Sequence, residues 1–341
     1  MSAPDLLSTA ETLHSEEFDH IPIIDLALPN DQLVEKIREA CLVAGFFYVK
    51  NHSVSESTVQ QTFDTAKRLF QDLSKEDKMK LHISQSNNFR GYQGLYEENT
   101  NPENKGDLHE AFNLGYEPLS EPAPIPTLDD KGHHSNNIWP ADETLEGFRS
   151  DVLKYYHEVL DLGYRLFPLF ALALGLPEDF FNDKTKEKAA IMRLLHYPSQ
   201  APDVDINGQV QGIGAHTDYE CFTILRQGTD VGALQVLNRS GEWIDAPPIK
   251  GTFVINIADQ LSRWSNDIFV STRHRAINRS GRERYSIPFF FGTDYNVVLE
   301  PFHTCVSADR PARYEPILAG EYVRSRLDDT YGHKALDVTE E

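Results

Sequence analysis

"GALQVLNRSGEWIDAPPIKGTFVINIAD", residues 232–259, decides the fold. It holds three short apolar runs, "GALQVLN", "GEWIDAPP" and "GTFVINIAD", set apart by Gly, Asn, Asp and Pro. Runs of this length between such breaks are strands. The same texture extends in both directions. "AIMRLLHYP" and "CFTILRQG" precede the stretch, and "STRHRAIN", "RYSIPFFFGT" and "NVVLEPF" follow it. About eight short strands in about 110 residues have the length and rhythm of a jelly roll or barrel.

The chain before residue 190 is different. Residues 1–20 read as a loose polar arm. "IPIIDLAL" (21–28) reads as a strand, and "NDQLVEKIREACLVAGFFYVKNH" (30–52) as a helix capped by Asn30 or Asp31, closed by Gly45, and followed by the strand "FFYVK". Residues 55–81 read as a second helical region. Residues 82–140 are loops around a strand, "DLHEAFNLG". Residues 142–176 form a long helix that Pro168 should kink or divide. A last helix is expected over 314–332. The expected class is therefore mixed α and β, a double-stranded β-helix (jelly roll) core with a helical N-terminal region and a C-terminal helix. Its expected divisions are the arm 1–20, an N-terminal unit 21–140, a helical support 141–185, the core 186–300, and a C-terminal helix and tail 301–341.

Bulk composition narrows the function. The 341 residues carry a net charge of −21. That argues against nucleic acid or an anionic membrane as partner, because both need a basic surface. Cys41, Cys221 and Cys305 form no CxxC pair and read as buried thiols of a reducing compartment. The N-terminus lacks a signal-peptide pattern, and the expected location is the cytoplasm. A small-molecule substrate is the expected partner, and oligomeric state is not readable.

"AHTD" places His216 and Asp218 two apart, on one face if the segment is a strand. His274, in "STRHRAIN", lies 56 residues after Asp218, a distance that a closed sheet can span. Two imidazoles and a carboxylate on one face make the facial triad that holds Fe(II) with open positions, room for a bidentate 2-oxo acid and dioxygen. "RERYSIPFFFG" supplies a cation. Arg284 and Ser286 are two apart on one strand, and a guanidinium inside a barrel needs an anion. The alternative turns Arg284, Ser286, Pro288 and Phe290 to solvent and Tyr285, Ile287 and Phe289 inward.

Taken in order, "HTD" (216–218), the stretch 232–267, "STRHRAIN" (271–278) and "RYSIPFFF" (284–291) resemble the iron(II)/2-oxoglutarate-dependent dioxygenases of the isopenicillin N synthase-like group. "RGY" (90–92), "RLLHYP" (193–198) and "RWSND" (263–267) look most like fungal members, including thymine 7-hydroxylase and polyketide methyl oxidases. The resemblance spans roughly 20 to 330. It implies His216, Asp218 and His274 as iron ligands, and Arg284, Ser286 and Tyr197 as contacts to 2-oxoglutarate. It also implies O2 as cosubstrate and ascorbate as reductant. The implied activity is hydroxylation or another oxidation of a C–H bond, with release of succinate and CO2, in fungal secondary metabolism or nucleobase salvage. Asp218 argues against halogenation, for which relatives carry Ala or Gly there. One departure is Ala258, where the family commonly has Gly before Asp259. Rival readings are a same-fold iron oxidase or cyclase that does not consume 2-oxoglutarate, and a non-catalytic ligand-binding protein.

Strand parity extends the pocket. If Arg284 faces in, so does Phe290, and Tyr197 brings Leu195 and Arg193 with it. Arg193 is then a substrate contact or the partner of a core carboxylate such as Glu110. Tyr219, Phe89, Arg90 and Tyr92 are the remaining pocket candidates. His52, His109, His133, His134, His196 and His303 read as structural or surface residues.

Overall fold

The computed structural model describes residues 3–99, 106–120, 136–199, 212–228 and 230–331. His133, His134 and the C-terminal tail from 332 lie outside them. The chain runs α1 (Ala3–Leu13), β1 (Ile23–Asp25), α2 (Asn30–Val43), β2 (Phe46–Lys50), α3 (Glu56–Asp72), α4 (Lys75–Lys80), β3 (Gly91–Gln93), β4 (Glu110–Gly115) and α5 (Phe148–Ala173). Then follow β5 (Ala190–Tyr197), β6 (Ile213–His216), β7 (Phe222–Gln227), β8 (Leu234–Leu237), β9 (Trp243–Asp245), β10 (Phe253–Ile257), α6 (Asp259–Trp264), β11 (His274–Ala276) and β12 (Arg284–Phe291). The short pair β13 (Val298–Leu299) and β14 (Ile317–Leu318) leads into α7 (Ala319–Tyr331).

The strands β5 to β12 pass back and forth between two sheets, as a jelly roll requires. One sheet has the order β1-β2-β10-β7-β12-β5-β4-β3, the other β6-β11-β8-β9. The N-terminal strands thus extend the same sheet as the core. On β12 one face is apolar throughout. Tyr285, Ile287, Phe289 and Phe291 join the main core, where Phe289 lies 4.8 Å from the Tyr156 ring of α5 and Phe291 stacks on Phe222 at 5.2 Å. Each fully buried phenylalanine of this kind contributes about 1.5–3 kcal/mol through removal from water. That burial sets the register of the strand, because a one-residue slip would exchange its two faces. Arg284, Ser286, Pro288 and Phe290 therefore face the cavity between the sheets, and the solvent-facing alternative for Arg284 is excluded.

Several expectations need correction. Residues 1–20 are not a loose arm: α1 forms there, and Leu6 and Ala10 are buried in the core. Their spacing of four is one helical face, hidden by the polar residues around it. α2 begins at Asn30 behind Pro29 with no side-chain cap bond, so neither Asn30 nor Asp31 caps it. The helical region 55–81 is two helices, broken at Leu73 and recapped by Ser74, whose hydroxyl accepts from the Asp77 amide. α5 runs through Pro168 as one helix. Leu166, Phe167, Leu169 and Phe170 around the proline are all buried, and that packing outweighs the lost backbone bond. "NVVLEPF" yields only β13, which pairs with β14 outside the jelly roll. Gly45 does end α2: it has φ +65°, and a Cβ there would overlap the Val270 carbonyl.

Candidate active site

The site grows out of the pairing of β6 with β11. His274 sits directly opposite His216 in that antiparallel pair, with ring centroids 4.4 Å apart. β6 ends at His216, so Asp218 lies just past the strand. Its carboxylate nevertheless turns back between the two rings. Oδ1 is 3.4 Å from His216 Nε2 and 3.6 Å from His274 Nε2. One ligand atom from each residue lies within 4.8 Å of the others, and among the described residues this is the one such cluster.

The surroundings decide which atoms are free. His216 Nδ1 lies 2.8 Å from the Gly214 carbonyl and His274 Nδ1 lies 3.1 Å from the Thr272 carbonyl. A carbonyl only accepts, so each Nδ1–H donates and each Nε2 keeps its lone pair in the neutral ring. Asp218 Oδ2 accepts from Thr223 Oγ1 at 2.5 Å and from Asn256 Nδ2 at 2.7 Å, which leaves Oδ1 toward the histidines. Burial alone would raise the Asp218 carboxyl. The neighbouring His274 and His216 and the Thr223 hydroxyl outweigh it and hold the group well below the usual carboxylate range. Burial pushes His274 down to about 4, with Asp218 opposing and His216 adding to the shift, so this imidazole is neutral at pH 7. Three converging atoms with fixed outer partners fit a divalent first-row cation with open positions.

Asp259 ties the two ligand segments together. Its carboxylate accepts from Thr217 Oγ1 at 3.0 Å and from Ser271 Oγ at 2.7 Å, and its amide donates to the Asp218 carbonyl at 2.9 Å. Ala258 before it has φ −117° and ψ 174°, extended backbone in which alanine costs nothing, so this departure is harmless.

A cavity of about 940 Å³ opens beside the cluster. Arg284 faces its inner end, 2% exposed, with its guanidinium 4.6 Å over the Tyr197 ring. It reaches only Ser286 Oγ at 3.3 Å and Gln227 Oε1 at 3.4 Å, and its Nε has no partner. Two other buried arginines have carboxylate partners. Arg226 pairs with Glu56 at 2.7 Å, and Arg38 with Glu35 at 2.7 Å. A buried guanidinium with no carboxylate beside it is costly and calls for an anionic ligand.

Farther along the cavity stand Arg193, Phe290, Tyr219, Phe89 and Arg90. Arg193 lines the cavity, but its charge is met by Glu98 Oε2 at 2.7 Å, and Nε donates to Asn113 Oδ1 at 2.9 Å. Glu110, the partner expected for it, is engaged by His196, Tyr92 and Lys78 instead. Tyr92 is a correction: its hydroxyl donates to Glu110 Oε2 at 2.7 Å, and it does not line the cavity. Residues 82–140 read as loops, but Tyr92 stands in β3, and the positive φ at Phe89 and Gly91 turns the chain just before it.

Sequence reasoning does not reach Glu98, Thr223, Asn256, Asp259 or Glu220. Asn256 and Asp259 stand in "NIAD", two strand positions and a turn from the ligand loop, and that motif is their only signal. Glu220, two residues after Asp218 in the chain, is buried, and burial pushes its carboxyl up to about 8 against the pull of Arg90. His109, at 3.1 Å from Glu98, is structural as expected.

Two of these residues give expected results. Asn256→Ala should lower Fe(II) affinity about 10- to 100-fold by freeing the Asp218 carboxylate to rotate, measured by anaerobic metal titration. Unchanged affinity would show that Asn256 does not position it. Burial alone would raise the Glu98 carboxyl; Arg193 and His109 outweigh it and hold it well below the usual range. A depressed carboxyl stabilises the fold above its unfolded value and loses that contribution as pH falls through the folded one. Glu98→Gln should therefore cost about 3–5 kcal/mol at pH 7, since it leaves Arg193 buried without its carboxylate, with the deficit shrinking in acid. Equal melting curves at pH 7 would refute this.

Comparisons with known proteins follow the same lines. Residues 21–142 match the family model for the non-haem dioxygenase in morphine synthesis N-terminal region, and residues 188–293 match the 2OG-Fe(II) oxygenase superfamily. The chain is 37% identical to the 2-oxoglutarate-Fe(II) type oxidoreductase hxnY of Emericella nidulans, over 88% of this chain and 85% of that protein. It is 37% identical to the homoarginine-6-hydroxylase 2-ODD-233 of Oryza sativa subsp. japonica, over 91% and 97%. The crystal structure of a full-length Neurospora crassa protein in complex with alpha-KG superposes with a TM-score of 0.79 at 30% identity, covering 93% of this chain and 98% of that one.

Proposed function

Because the chain belongs to the 2-oxoglutarate- and Fe(II)-dependent oxygenases, we propose that His216, Asp218 and His274 hold the iron and that Arg284, Ser286 and Tyr197 receive 2-oxoglutarate. The enzyme acts on a small molecule, and Phe290, Tyr219, Arg193, Arg90 and Phe89 form the walls against which that substrate rests. The observation that carries the reading is the buried Arg284, with no carboxylate beside it, in the same cavity as the three converging ligand atoms.

Iron and 2-oxoglutarate supply the oxidising power, coupling O2 reduction to loss of CO2 and formation of succinate while a substrate C–H bond is oxidised. The chain supplies everything else. The Arg284 fork would donate to the distal carboxylate, Ser286 would add a further bond, and the Tyr197 face covers the guanidinium. The Nδ1–H bonds to Gly214 and Thr272 fix both imidazoles, and Thr223 and Asn256 fix Asp218. α7 lies across the mouth, where Val323 and Leu327 line the cavity and limit water. Ascorbate as reductant, a cytosolic setting consistent with three free buried cysteines, and a role in secondary metabolism or nucleobase salvage belong to the same proposal. The same Neurospora crassa protein bound to alpha-KG and thymine, 29% identical with a TM-score of 0.77, supports a small polar substrate.

The test is substrate-dependent succinate release from the iron-loaded enzyme. Product formation without succinate would instead favour an oxidase or cyclase that spares 2-oxoglutarate. No described helix is long and apolar enough to cross a membrane.

A further inference from the structure

Two ionisable side chains line the far part of the cavity, each with a buried polar atom that lacks a partner. Glu220 is 5% exposed, and its Oε2 has no hydrogen bond. The Arg90 Nη1 is likewise buried and unpartnered. The two feel each other's charge, yet no ion pair joins them. Both reach their places over a glycine. A Cβ at Gly115 would overlap the Arg90 guanidinium, and a Cβ at Gly292 would overlap the Glu220 carboxylate. Gly115 pairs with Ile191 at the end of β4, and Gly292 directly follows β12. The fold therefore reserves space for an acid and a base at the same end of the sheet.

That end is opposite the clamp. Across β5 and β12, Arg284 pairs with Tyr197, Ser286 with Leu195, and Phe290 with Ile191. The run from Arg284 to Phe290 covers about 20 Å at strand spacing. 2-Oxoglutarate at the first rung cannot reach Arg90 and Glu220 beyond the last. A buried carboxyl and a buried guanidinium nitrogen that merely stabilised the fold would be bonded to each other or to neighbours, because an unpaired buried polar atom is costly. Arg193 shows the bonded case in the same cavity, through Glu98.

We propose that Arg90 and Glu220 together bind the polar head of the substrate, a group presenting a hydrogen-bond acceptor and an N–H donor side by side. This rests on the reading of the cavity as the oxygenase active site. The guanidinium donates to the acceptor, and a Glu220 carboxyl oxygen accepts from the N–H. An α-amino acid meets this with carboxylate and ammonium, and a lactam or cyclic imide with C=O and ring N–H. The rest of the molecule extends past Phe290 and Pro288 toward the metal ligands.

The test uses the full chain loaded anaerobically with Fe(II) and 2-oxoglutarate, read by thermal shift and titration. One probe set is thymine, uracil and 2-piperidone. A second is homoarginine, leucine and proline. Butyrate, butylamine and butanol carry one group each. At least one two-group probe should raise the melting temperature while the single-group probes do not. Its Kd should rise at least tenfold in both Arg90→Met and Glu220→Met, with the shift caused by 2-oxoglutarate preserved. Both variants should melt at or above the temperature of the unsubstituted chain. Binding confined to amino acids or to lactams identifies the source of the head group, and either supports the proposal. It is overturned if no two-group probe binds, if binding survives both substitutions, or if either variant melts well below the unsubstituted chain, the mark of a structural pair. No shift with 2-oxoglutarate in the unsubstituted chain would overturn the functional reading beneath it.

Discussion

Replacing His216 with alanine is expected to abolish Fe(II)-dependent succinate formation. The imidazole is one of three groups whose ligand atoms converge within 4.8 Å, and among the described residues no fourth His, Cys, Asp or Glu belongs to that cluster. Metal polarisation contributes several kcal/mol to a reaction of this kind. Loss of about 4 kcal/mol is about a thousandfold in rate. The fold should survive, because His216 lies on the cavity wall and outside the apolar clusters. Circular dichroism should therefore match the unsubstituted chain while anaerobic Fe(II) binding is lost. A folded variant that still turns over would show that the cluster is not the iron site.

Arg284→Ala should act differently. It should raise the KM for 2-oxoglutarate about a hundredfold, the ~3 kcal/mol expected when one partner of a buried, hydrogen-bonded charge pair is removed. At saturating 2-oxoglutarate kcat should stay within severalfold, because the iron ligands are untouched. Arg284→Lys should recover only part of the loss, since ammonium keeps the charge but not the planar fork. Without 2-oxoglutarate the alanine variant should melt no lower than the unsubstituted chain, because it removes a guanidinium whose bonds are 3.3 and 3.4 Å long with Nε unpaired. An unchanged KM would mean that this arginine does not bind the cosubstrate.

Much of the site was legible because strand periodicity converts sequence spacing into direction. Arg284, Ser286 and Phe290 share a parity, and the apolar residues between them identify which face belongs to the core. Tyr92 was expected in the pocket from a stretch read as loop, and it stands instead in β3 with its hydroxyl on Glu110. Positive φ at Phe89 and Gly91 turns the chain there, and backbone sign is not written in residue type except through glycine. Arg193 was placed correctly on the wall but given the wrong carboxylate. Glu98 comes from a loop whose path no periodicity describes.

By itself the sequence pointed to most of the jelly-roll strands, to the two histidines and the aspartate as one cluster, and to Arg284 as a cation with two possible facings. Each follows from local rules: breaks by Gly and Pro, alternation along strands, and the cost of burying an unpaired charge. Only the tertiary structure decided that α1 packs, that α5 is not divided at Pro168, and that Arg193 is neutralised by Glu98 while Arg90 and Glu220 are not joined in an ion pair. Those outcomes depend on which distant segments meet, and a buried charge is defined by its neighbours in space, which one sequence does not order.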